Sequence, residues 1–136
     1  GHNQNGRLME ERREIHVLYF NTRDEMVRVD LRKVGYFRAD RNYTDVYFLN
    51  GYHVTLPTNM AEIERMLEEV RAKVITVPFV RIGRSMIVNL SHIIHINVLK
   101  QELTLSDMHS ASVLRVEVQK EALKKLKELY SNKEKA

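Results

Sequence analysis

Apolar and polar positions alternate along most of this chain, and the period changes twice. Val27, Val29 and Leu31 alternate with Arg28 and Asp30, the period of two that marks a half-buried strand. "IHVLYF" (15–20) precedes them as another strand-like run, and "NTRD" between the two reads as a turn. In residues 34–56, Asn50-Gly51 separates "YTDVYFL" from "YHVTL". That dipeptide predicts a hairpin closed by a type I′ turn, with positive φ at both residues. Residues 58–72 switch to a helical period, with Met60, Ile63, Met66, Leu67 and Val70 on one stripe. Asn59 is placed as the N-cap with Glu62 three residues on, a capping box, and Pro57 and Pro78 bracket the segment. Strand patterns return after Pro78 as "FVRI", "SMIVNL", "IIHINV", "ELTL" and "SVLRVEV", the last two joined by the polar "SDMHSA". From Gln119 the period is helical again, with Leu123, Leu126 and Leu129 or Tyr130 ringed by lysines. The pattern predicts about nine short strands and two short helices, a mainly β chain dominated by antiparallel hairpins.

Composition narrows the class. The 136 residues suffice for one domain with a single core. Hydrophobic residues make up 43% and charged residues 29%, too apolar a balance for wholesale disorder. Cysteine is absent, which excludes disulfides and Cys-based zinc sites and fits a cytoplasmic location. No apolar run approaches the ~20 residues that span a bilayer, and no signal peptide is visible. Residues 1–13 read as linker or leftover cloning residues outside the fold, 14–130 as the domain, and 131–136 as a frayed tail. The net charge is +4, and its distribution is uneven: residues 1–80 hold 12 Lys+Arg against 12 Asp+Glu, whereas residues 81–136 hold 10 against 6. A basic second half suits a polyanionic partner, although a solvated face accounts for it equally well.

Catalytic signatures are missing. There is no G-x-S-x-G elbow, P-loop, G-x-G-x-x-G or H-E-x-x-H. No enzyme, cofactor or small-molecule substrate is therefore expected. His92 and His95 are three apart within a strand-like run, where they face opposite sides and make no metal pair. The basic positions are more informative, because they gather where elements join. "RADRNYT" (38–44) carries Arg41, Asn42, Tyr43 and Thr44; "RIGRS" (81–85) carries Arg81, Gly83, Arg84 and Ser85; "VQKEALKK" (118–125) carries Gln119, Lys120 and Lys124. Arg and Lys suit phosphates and guanine edges, Asn and Gln suit adenine, and Ser and Thr suit phosphates. Any one group alone reads as a solvated loop, but three in one small domain favour a nucleic-acid contact. Tyr36, Phe37, Tyr47 and Phe48 lie in strands and read as core. Tyr43, at a loop edge, is the aromatic placed to stack on a base.

"FVRIGRSMIVNLSHIIHI" (79–96) resembles the signature of the LytTR DNA-binding domain family. Phe79, Arg81, Ile82, Arg84, Ser85, Ile87, Val88 and Asn89 match its pattern, whereas Gly83 stands for the usual histidine and Met86 for the usual aromatic. "VGYFRADRNYTDVYFLNGYHVTLPTNMAEIERML" resembles the family's first half, and "LTLSDMHSASVLRVEVQKEALKKL" its closing hairpin and terminal helix. The likeness covers roughly residues 15–130.

The resemblance implies an elongated, mainly β fold of short antiparallel sheets with two short helices. It implies sequence-specific binding of double-stranded DNA by the output domain of a bacterial transcription regulator, through loops that enter successive major grooves. The first contact loop maps to Asn42, Tyr43 and Thr44, and the second to Gly83, Arg84 and Ser85. The third maps to Gln119 and Lys120, where the family often has Ser-Arg. Lys is a point charge and cannot copy a bidentate Arg contact to guanine, so base preference does not carry over. Asn89 is expected to anchor a turn and not to read a base. Such domains commonly follow a receiver or membrane domain and occupy paired half-sites, so a homodimer on DNA is a further expectation. Two other readings stay open: a protein-interaction module that has lost DNA binding, and a single-strand binder that uses Tyr43 or Tyr47.

Overall fold

The computed structural model describes residues 16–73, 78–109 and 111–131. The linker expected over 1–13 and residues 132–136 of the expected tail lie outside them. The chain runs β1 (Val17–Asn21), β2 (Met26–Asp30), β3 (Val34–Asp40), β4 (Tyr43–Phe48), β5 (His53–Leu56), α1 (Met60–Arg71), β6 (Phe79–Ile82), β7 (Met86–Asn89), β8 (Ile93–Asn97), β9 (Glu102–Leu105), β10 (Leu114–Glu117) and α2 (Lys120–Ser131). These strands form a two-stranded sheet β1-β2, a five-stranded sheet β5-β4-β3-β7-β6 and a three-stranded sheet β10-β9-β8. Every pairing is antiparallel. The expected mainly β class with two helices is the observed one.

The five-stranded sheet lies between two cores, and the strand period decides which side chain enters which. Adjacent residues of a strand point to opposite faces. Phe37 and Ile87 join α1's Met60, Ile63, Leu67 and Val70 in one core, together with Phe20 and Val29 from the β1-β2 hairpin. Their neighbours Tyr36 and Val88 face the other way, onto Leu103, Leu105 and Val116 of the three-stranded sheet and Leu123 and Leu126 of α2. Half of the predicted capping box forms: Asn59 Oδ1 accepts from the Glu62 N–H at 2.9 Å, while the Glu62 carboxylate turns to Arg65 instead.

Three features differ from the sequence-based expectation. The β4-β5 hairpin exists, but only Gly51 of the Asn50-Gly51 pair has positive φ (95°). Gly51 N–H donates to Phe48 O and Phe48 N–H to Tyr52 O. That gives a three-residue loop with glycine in the left-handed position, in place of a type I′ turn. The other two differences are short 3₁₀ turns, Leu31–Lys33 and Leu90–His92, that end β2 and β7. Each is capped by the last residue of its strand: Asp30 accepts from the Arg32 N–H and Asn89 from the Ser91 N–H. Leu31 and Leu90 continue the apolar alternation, so the period alone runs straight through both caps. The signal in the sequence is the short polar side chain that competes for backbone hydrogen bonds.

Candidate nucleic-acid interface

The first sequence-predicted loop is the tip of the β3-β4 hairpin. Asp40 pairs with Tyr43 across a two-residue turn of Arg41 and Asn42. Arg41 holds a φ of 58°, a conformation uncommon outside glycine. Arg41, Asn42 and Tyr43 are all exposed. Thr44 is not: it is fully buried, and its hydroxyl donates to the Thr58 carbonyl at 2.9 Å. Thr44, expected among the contact residues, thus presents no exposed side chain at the tip. It ties the tip to the link between β5 and α1.

The second loop is the tip of the β6-β7 hairpin. Ile82 pairs with Met86, which leaves Gly83, Arg84 and Ser85 as a three-residue turn, all exposed. Gly83 has a φ of 62° and open space where a Cβ would stand; the backbone conformation, not crowding, is what calls for glycine here. Arg81 departs from expectation. Its guanidinium pairs with the Glu64 carboxylate of α1 and donates to the Arg84 carbonyl. It braces the turn from behind, and Arg84 is left as the exposed cation at the tip. Glu64 was missed by sequence reasoning, because its partner stands seventeen residues away across a helix and a strand.

Strand order brings these two tips together. β3 lies between β4 and β7, with Arg38 opposite Met86. The end of β3 therefore meets the start of β7, and the Ala39 N–H donates to the Ser85 carbonyl at 2.8 Å. The third group joins them. Gly83, Arg84 and Ser85 line one hollow with Glu117, Val118, Gln119 and Ala122. Lys120 opens α2 and is exposed, while Lys124 stands 3.5 Å from Glu121. All three predicted groups thus occupy one end of the molecule.

The remaining polar positions have other partners. Tyr36 and Tyr47 stack with centroids 4.5 Å apart, and Tyr47 stacks again on His53 at 5.0 Å. The Arg38 guanidinium lies 5.4 Å from the Tyr36 centroid. Burial pushes the Tyr36 phenol up to about 12 against the opposing pull of Arg38, so it stays neutral. Tyr47 is covered on both faces and is not a platform for an unpaired base. Burial also pushes the Asp30 carboxyl up, but hydrogen bonds and charge from Arg32, with help from Arg28, outweigh it and hold the group below the usual carboxylate range. Asn89, 2% exposed, donates to the Val34 carbonyl at 2.9 Å and accepts from Ser91 at 3.0 Å. His92 Nε2 lies 2.9 Å from the Arg32 carbonyl. Among the described residues no group of three or more His, Cys, Asp or Glu could hold a metal ion, and no helix is long and apolar enough to cross a membrane.

The β-sheet domain thus presents short, exposed, basic turns from one end. The family model of the LytTr DNA-binding domain matches residues 24–131, and the chain belongs to that family. It is a DNA-binding family and not an enzymatic one. Among solved structures, the chain is similar to the LytTr DNA-binding domain of a putative methyl-accepting/DNA response regulator from Bacillus cereus. The two share 26% identity with a TM-score of 0.55, over 84% of this chain and 95% of that one. No curated protein matched.

Proposed function

We propose that this domain binds duplex DNA sequence-specifically, as the cytoplasmic output domain of a bacterial transcription regulator. In this reading Arg41, Asn42 and Tyr43 form one contact, Arg84, Ser85 and the Gly83 backbone a second, and Gln119, Lys120 and Lys124 a third. Loops entering successive major grooves would read base edges, and the lysines would hold phosphates. The solved relative is described as part of a response regulator, which supports a regulator as the parent protein; a homodimer on paired half-sites is part of the proposal.

The observation that carries this reading is the backbone hydrogen bond from Ala39 to Ser85. It holds two independent hairpin tips in fixed register, which loop-based readout of a regular double helix requires. Binding should weaken steeply with salt as phosphate contacts release counterions. Arg84→Ala should cost on the order of 1–3 kcal/mol of binding with little change in Tm, measured by gel shift on duplexes selected from a random library. Wild-type affinity in that variant would remove the second loop from the contact. A wild-type domain that gives no salt-sensitive shift would favour the protein-interaction reading.

A further inference from the structure

The three-stranded sheet carries one more turn at this end of the molecule. It joins β8 to β9 over residues 98–101. Glu102 pairs with Asn97 on one side and with Glu117 on the other, so the turn lies beside the exit of β10. The Val118 N–H donates to the Gln101 carbonyl at 3.0 Å. Val118 and Gln119 in turn line the hollow shared with Arg84 and Ser85. Neighbouring positions therefore lead from the β3-β4 tip through Ser85, across the shared hollow to Val118 and Gln119, and on to Gln101.

The turn itself is held from within. The Lys100 N–H donates to Asn97 Oδ1 at 2.9 Å, the Gln101 N–H to the Val98 carbonyl at 3.1 Å, and Gln101 takes a φ of 55°. At its tip stand Leu99, 83% exposed, and the exposed Lys100. Among the described residues Lys100 makes no ion pair.

Electrostatics give this turn a task. The third contact group is weakly cationic: Gln119 is neutral, Lys120 lies between Glu117 and Glu121 in sequence, and Lys124 pairs with Glu121. Glu102 sits opposite Glu117 one step back. A phosphate arriving there meets the carboxylates of Glu102, Glu117 and Glu121 against the ammonium groups of Lys120 and Lys124, so a further cation on the same edge would favour it.

We infer that the Val98–Gln101 turn is a fourth DNA-contacting element, in which Lys100 engages a backbone phosphate beside the site of the α2 start. The inference rests on the reading of the domain as a duplex binder. It extends the contacted DNA beyond the three loops, on the flank next to Gln119. Lys100 positions the duplex and reads no base.

The test measures affinity against salt for the wild type, Lys100→Ala, Lys100→Glu and Lys33→Ala, with hydroxyl-radical footprints of each. Lys33 lies at the opposite end of the sheet, in the 3₁₀ turn before β3. Lys100→Ala should make the slope of log affinity against log salt shallower by about 0.9, the value for one phosphate. Its footprint should shrink by a few nucleotides on one flank, by order of magnitude for a single lost contact. Lys100→Glu should exceed both effects, and Lys33→Ala should change neither. An unchanged slope and footprint in Lys100→Ala, with Arg84→Ala still weakened, would overturn the fourth element alone. A wild type without salt-dependent duplex binding would overturn the reading beneath it.

Discussion

The central sheet has two ends, and the same residue types do opposite work at each. Asn42 stands exposed at the end where β3 turns into β4. Asn89, at the other end of the sheet, is buried with its amide engaged by Val34 and Ser91. Two arginines repeat the contrast over three residues: Arg81 is braced against Glu64, while Arg84 is exposed at the turn. A polar side chain whose hydrogen bonds close within the protein holds the fold. One left open to solvent at a fixed position is available to a partner. What separates the two is partner geometry, which residue identity does not report.

Asn89 gives the largest expected effect. Asn89→Ala leaves the buried Val34 carbonyl and the Ser91 N–H without their side-chain partner. The unsatisfied buried carbonyl costs roughly 1–3 kcal/mol and the N–H of the exposed Ser91 less, so a loss of about 2 kcal/mol is expected, read as a lower urea midpoint with an unchanged slope. The folded fraction should bind DNA as the wild type does. An unchanged midpoint would break the division between the two ends.

Thr44 sharpens it, because it sits at the tip end and yet belongs with the buried class. Thr44→Val keeps the shape and removes the donor to Thr58. A loss of about 1 kcal/mol of stability is expected for one hydrogen bond, with the DNA salt slope unchanged. A shallower slope would return Thr44 to the contact surface.

Much of this was legible in the sequence, for identifiable reasons. Alternation at Val27, Val29 and Leu31 and the stripe from Met60 to Val70 report burial directly, so the element types follow from period. Arg41, Asn42, Arg84 and Ser85 could be read as exposed because turns present their side chains whatever the sheet order. Thr44 and Arg81 could not be sorted from them, since a threonine or arginine beside a turn looks the same whether its partner is solvent, a carbonyl or a carboxylate. Those partners, Thr58 and Glu64, are set by how α1 packs on the sheet. The Lys100 turn escaped notice for a related reason: only the pairing of β9 with β10 brings it beside Gln119. Asn50-Gly51 signalled a hairpin correctly, but the loop takes one residue more than the dipeptide predicts.

The smallest effect comes from comparing the two tips with each other. Each places its first turn residue at nearly the same φ, 58° for Arg41 and 62° for Gly83. Gly83 reaches it without a Cβ, whereas Arg41 bears the steric cost, of order 1 kcal/mol for a left-handed L-residue. In the proposed reading, contact by the Arg41 side chain is what offsets that cost. Arg41→Gly removes the strain but adds chain entropy to the unfolded state. The net result should be a stability gain of no more than a few tenths of a kcal/mol, at the limit of a chemical melt. DNA binding should weaken at the same time, with a salt slope shallower by about 0.9 if the guanidinium meets one phosphate. The two readouts moving in opposite directions is the signature expected of a residue kept for contact. A clear loss of stability would instead make Arg41 a structural residue of its own turn and leave Asn42 and Tyr43 to carry the first loop.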